Sequence, residues 1–132
     1  MAANHYNLVR NETATPLDLW DRGYRRCVAL LQRAKSLIRS ENPVQRIEKA
    51  RMLHDAFSIV EFWTAALPPE SPEAGDRQTT ATAIALPSRL RTAYGFVLHR
   101  IVKANANDCS DDIDEAITML HHLRAVFHKE IG

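Results

Sequence analysis

Glycine is scarce in this chain, with four residues in 132, and none lies in a loop built to cradle a phosphate. Nucleotide-dependent catalysis therefore has no support in the sequence. Cysteine is scarcer still: Cys27 and Cys109 stand alone, without metal-ligand spacing or a disulfide framework. Six histidines occur but no Glu-x-x-His pair, so the inward ligand set of a di-iron helical bundle is missing, and no cofactor or metal is expected. No apolar run approaches the ~18 residues of a membrane helix. The start, Met1-Ala-Ala-Asn-His-Tyr6, lacks the basic and then apolar regions of a secretory leader. A cytoplasmic protein with no membrane insertion is the expectation. Neither charge sign dominates, and a formal net charge of +1 gives no general drive toward nucleic acid. Strand-like alternation and Asn-Gly hairpins are absent too.

What is present is helical periodicity. Apolar residues make up 45% of the chain and charged residues 25%, enough to build a core in one domain over residues 1–132. Residues 1–14 are polar and predict an extended arm. Thr15 suits a helix N-cap, Pro16 the first helical position and Asp18 an acidic first turn. Leu17, Trp20, Tyr24, Cys27, Val28, Leu31, Ala34 and Ile38 then recur as one buried stripe, which places Cys27 as a small buried hydrophobe. Pro43 closes that helix. A second helix is expected to turn Val44, Ile47, Leu53, Phe57, Val60 and Trp63 inward, and Leu67-Pro-Pro-Glu-Ser-Pro72 stops it. Residues 68–80 predict a mobile loop.

A third helix is expected from about Pro87 to Asn105, with Leu90, Tyr94, Val97, Leu98 and Ile101 on its stripe; Pro87 is expected to kink or restart the run from Thr79. After Asn105-Ala-Asn-Asp-Cys109, in whose turn Cys109 is placed as an exposed thiol, the pattern restarts. Ile113, Ala116, Ile117, Leu120, Leu123, Phe127 and Ile131 form that stripe, and Asp112 and Glu115 have capping-box spacing. Four helices with short or moderate links predict an all-α fold, an antiparallel four-helix bundle with an extended N-terminal arm.

The stretch Tyr94-Gly-Phe-Val-Leu-His-Arg-Ile-Val-Lys-Ala104-Asn105, followed by an acidic-capped helix, resembles the second half of the FliS family. Tyr6 upstream of Thr13-Ala-Thr-Pro16 resembles that family's amino end. The resemblance implies a chaperone that holds the disordered C-terminal segment of flagellin, prevents premature polymerisation and keeps it competent for flagellar type III export. Its partners would be that segment and, beyond it, the export apparatus or a co-chaperone. Carried over by motif, Tyr6 would serve a client or gating role, Leu90, Tyr94 and Leu98 would line a groove or the core, and Thr15, Pro16, Ala104 and Asn105 would be structural.

The chain departs from the family around helix one, where Trp20-Asp-Arg-Gly-Tyr24-Arg-Arg26 puts the glycine before the tyrosine and two arginines after it. Pro87 and Arg89 replace the small and amide residues expected before Leu90. A divergent helical adaptor with another flagellar or unrelated partner is the alternative. A third reading rests on Arg124-Ala-Val-Phe-His128, which resembles the Arg/His pair of helical RNases of the HEPN type at a spacing one residue short. The simpler account of that pair is two solvated side chains completing a last turn. The arginines of helix one, Arg22, Arg25, Arg26, Arg33 and Arg39, read as a solvated face diluted by Asp18, Asp21 and Glu41, without a nucleic-acid motif.

Overall fold

The computed structural model describes residues 15–69 and 81–130. The expected arm over 1–14, with Tyr6, nearly all of the expected loop over 68–80, and Ile131 lie outside those residues. Four helices are found: α1 (Pro16–Ser36), α2 (Pro43–Ala65), α3 (Ala81–Asn107) and α4 (Ser110–Glu130). Each packs on the next in sequence and α4 returns against α1, which closes an all-α four-helix bundle.

The ends of these helices follow from local chemistry. Thr15 accepts from the Asp18 amide while Asp18 accepts from the Thr15 amide, a reciprocal capping box with Pro16 behind it. Hydrogen bonding to the carboxyl by the Thr15 side chain, and then by the Thr15 amide, holds Asp18 below its ordinary value. Asn42 caps α2 by accepting from the Val44 and Gln45 amides, and Pro43 takes the first helical position. Between α3 and α4 the chain turns through Asp108 at φ 49°, a left-handed conformation that Asp tolerates better than most residues.

Antiparallel order is visible in the cross-helix contacts. At one end, Trp20 early in α1 stacks on Trp63 late in α2, with ring centroids 4.8 Å apart, and on Phe127 late in α4 at 4.4 Å. Its indole N–H crosses the bundle to donate to the Tyr94 hydroxyl of α3 at 3.1 Å. The opposite end is held by charge. Lys35 pairs with Asp114 at 2.7 Å, Arg33 with Glu48 at 3.5 Å, and Arg100 with Asp112 at 3.0 Å and Glu115 at 2.9 Å. Lys49, a buried ammonium, pairs with Asp108. Between the two ends lies an apolar core of Cys27, Leu31, Leu53, Val60, Val97, Ile113 and Leu120 with their neighbours.

Three local expectations are corrected. Val44 and Ile47 are 72% and 64% exposed. The inward phase of α2 is set by Leu53, Ala56, Val60 and Trp63, and stepping back four residues from Leu53 reaches Lys49, so the two aliphatics fall on the other face. Next, α3 begins at Ala81 rather than at about Pro87, so Pro87 lies inside the helix and does not restart it. Proline's φ is compatible with a helix, but inside one its ring removes an N–H donor and crowds the carbonyl four residues back. Lastly, α4 starts at Ser110, so Asp112 lies within its first turn, where its carboxylate accepts from Arg100.

Two helical glycines make opposite predictions. A Cβ on Gly23 would lie 2.9 Å from Cζ2 of Trp63, whose ring is already stacked on Trp20 and cannot retreat. Gly23 is thus the residue that lets α1 meet the α2 indole. Gly95 has nothing within 4 Å of a Cβ. Gly95→Ala is expected to stabilise by about 0.5–1 kcal/mol through helix propensity. Gly23→Ala is expected to destabilise by about 1–2 kcal/mol, overpacking outweighing the same gain. Urea melts of the two variants check the signs, and a stabilised Gly23→Ala would refute the close contact.

Candidate functional site

The wider apolar arc of α3 and α4 does more than fill the core. Leu90, Ala93 and Phe96 on α3 face Met119, Leu123 and Val126 on α4 across an open groove of about 410 Å³. A second hollow of about 480 Å³ continues it toward the start of α4, past Asp114, Glu115 and Thr118. Phe96, Met119 and His122 line both, so they form the waist of one slot along the α3/α4 face. Arg100 holds its guanidinium over the Phe96 ring at 4.9 Å while bound to Asp112. The floor is apolar with an unbranched, adaptable Met at its centre, a combination suited to accepting apolar side chains of varied shape.

The residues singled out from the sequence do not share one surface. Leu90 is 6% exposed and belongs to both the core and the groove wall. Tyr94 is 2% exposed, with its hydroxyl engaged by Trp20; burial pushes its pKa up to about 12, against the lowering effect of that hydrogen bond. Leu98 is half-buried and packs against the core. Tyr6 lies outside the described residues. Ala104 is fully buried, and Asn105 lines a smaller hollow of about 350 Å³ between α2 and α3 with His54, Phe57 and Val102. Sequence reading missed Ala93, Phe96, Met119 and Val126. Their signal was present as apolar residues beside the stripe, more than a one-sided core requires.

Arg124 and His128 do share a face, and it is not a freely solvated one. His128 Nε2 lies 3.0 and 3.2 Å from the two oxygens of Asp21, and Arg124 Nε lies 3.6 Å from one of them. Asp21 is a largely buried carboxylate on α1, so the pair closes the α1/α4 seam. Beside it, Tyr24 hydrogen-bonds His121, and Arg124 sits 5.6 Å above the Tyr24 ring. An Arg/His pair acting on phosphate must point its N–H groups at the substrate; here His128 Nε2 is engaged by Asp21 and Arg124 is ion-paired with the same carboxylate.

No cluster of three or more His, Cys, Asp or Glu able to hold a metal occurs among the described residues. Cys27 is fully buried, its thiol pushed up to about 12 by burial and placed 3.8 Å from the Ala56 carbonyl. Cys109 is half-buried rather than fully exposed. Among the described residues, no helix is long and apolar enough to cross a membrane.

No curated protein matches the chain at a significant level. The family model described as Flagellar protein FliS matches residues 1–131, so the chain belongs to the FliS family.

Proposed function

We propose that this chain is a cytoplasmic flagellar export chaperone that binds the disordered C-terminal segment of flagellin, prevents its premature polymerisation and keeps it competent for type III secretion. The observation that carries the reading is the open apolar slot between α3 and α4, beside a closely packed apolar core. An amphipathic segment laid there buries its apolar face as it folds, and ordering the segment offsets about 2–5 kcal/mol or more of the gain. The complex is therefore specific yet releasable without ATP, and it needs no cofactor. Leu90 contributes to the wall directly, Tyr94 and Leu98 by fixing α3, and Tyr6 as an aromatic anchor on the client or on the bundle. Docking on the export apparatus or a co-chaperone belongs to the same reading.

Calorimetric titration with a peptide of the C-terminal flagellin segment tests it. Saturable binding near 1:1 with a negative heat-capacity change is expected. Met119→Glu puts a charge at the waist and should weaken binding by more than about tenfold. Phe62→Ser, on α2, where Phe62 is 72% exposed, should leave affinity unchanged. A folded protein that binds no peptide would leave a helical adaptor for some other partner, and a Met119→Glu variant that binds as well as the native chain would move the client site off the α3/α4 slot.

A further inference from the structure

The α3/α4 slot has a length and a polarity. Its α4 wall runs from Asp114 to Val126, about 18 Å at 1.5 Å per residue, the span of a little over three helical turns. Charge is segregated along it. Among the described residues, the hollow toward Leu86 and Val126 is lined by Arg89 and by no carboxylate, while His122 lines both hollows. Among the described residues, the hollow toward the start of α4 is lined by Asp114 and Glu115 and by no arginine or lysine. Lys35 and Arg100 pair with these two carboxylates, yet each acidic side chain remains 49% exposed. A docked helix presents positive potential at its amino end and negative potential at its carboxyl end. Only one direction matches both ends of the slot.

We infer that the occupant is an amphipathic helix of about three turns that lies parallel to α4 and antiparallel to α3, its amino end beside Asp114 and Glu115 and its carboxyl end beside Arg89. Partners that fit best carry basic or uncharged residues at the amino end of the apolar stripe and acidic ones at its carboxyl end. The occupant's identity rests on the chaperone reading; its direction rests on the charges alone.

Paramagnetic labelling separates the two. In a Cys109→Ser background, with Cys27 buried, one nitroxide is placed at Asp111→Cys or at Lys129→Cys, exposed positions near opposite ends of α4. An isotope-labelled peptide of the flagellin C-terminal segment is then added to the full chain. The label at 111 should broaden the amino end of the bound helix and the label at 129 its carboxyl end. The reverse pattern overturns the direction and leaves the chaperone reading standing, as does broadening of both ends by each label. A peptide that does not bind overturns both. Arg89→Glu should weaken binding about two- to fivefold, the scale of one exposed charge at a helix end, and tighter binding would contradict the assigned direction.

Discussion

Trp20→Ala is expected to lower the unfolding free energy by about 3–5 kcal/mol, the range for deleting a buried aromatic. The ring is 7% exposed and touches aromatic partners on all sides: Tyr24 at 5.6 Å, Trp63 at 4.8 Å and Phe127 at 4.4 Å between centroids. Each such pair adds about 0.5–1.5 kcal/mol beyond the area it buries. Three neighbours also make collapse of the cavity difficult, because each is itself held by another ring or helix. Trp20→Phe separates packing from polarity. It retains an aromatic ring but strands the buried Tyr94 hydroxyl, which accepts from the indole at 3.1 Å, a cost of about 1–3 kcal/mol. Adding Tyr94→Phe to that variant should recover part of the loss. Chemical denaturation of the native chain, Trp20→Phe, Tyr94→Phe and the double variant measures the coupling. A Trp20→Ala cost below about 1.5 kcal/mol would show that the stack does not carry this end of the bundle.

The second large effect lies at the opposite end. Asp108→Ala leaves the Lys49 ammonium, whose side chain is 7% exposed, without its counter-charge. Stranding one member of a buried pair costs about 3–5 kcal/mol. Asp108 is itself about one-third exposed, so solvent screening places the expected loss near ~2–3 kcal/mol. Lys49→Met removes the buried charge and keeps the apolar stem, so it should cost less than about 1.5 kcal/mol. The asymmetry between the two substitutions is the test; equal costs would refute a buried charge as the cause. Acid adds an independent measurement. The hydrogen bond from Lys49 holds the Asp108 carboxyl below its ordinary value of 3.8, with Arg46 and Arg39 adding to the effect. A carboxyl with a depressed native pKa stabilises the fold above the ordinary value and loses that contribution as pH falls through the depressed one. Native protein should therefore lose more stability than Asp108→Asn as pH drops below about 4.

The periodicity of α1, α3 and α4 could be read from the sequence because those helices bury one continuous face. Trp20, Cys27, Leu31, Leu90, Val97, Ile113, Leu120 and Leu123 all lie where the stripe puts them. The first turns of α2 could not be read the same way. Val44 and Ile47 are apolar but out of phase, and the in-phase position is filled by Lys49, which only its distant partner Asp108 makes tolerable inside. Side-chain pairing across many residues leaves no local periodicity. The same reason hid the role of Asp21, which looked like one more surface acid until α4 brought Arg124 and His128 to it. The slot was half legible: Leu90 and Leu123 were on the stripes, whereas Phe96 and Met119 sit beside them, and whether a flanking apolar residue meets a neighbour or an opening depends on how far apart two helices stand.

The aromatic end also makes the protein its own optical reporter. The chain contains two tryptophans, Trp20 and Trp63, and they are stacked on each other. Intrinsic fluorescence therefore reads the Trp20 end alone, while far-ultraviolet circular dichroism sums over all four helices. If the charged end around Lys49 and Asp108 opens first, ellipticity falls before the emission shifts. The gap between the two curves then measures how independently the ends of the bundle melt.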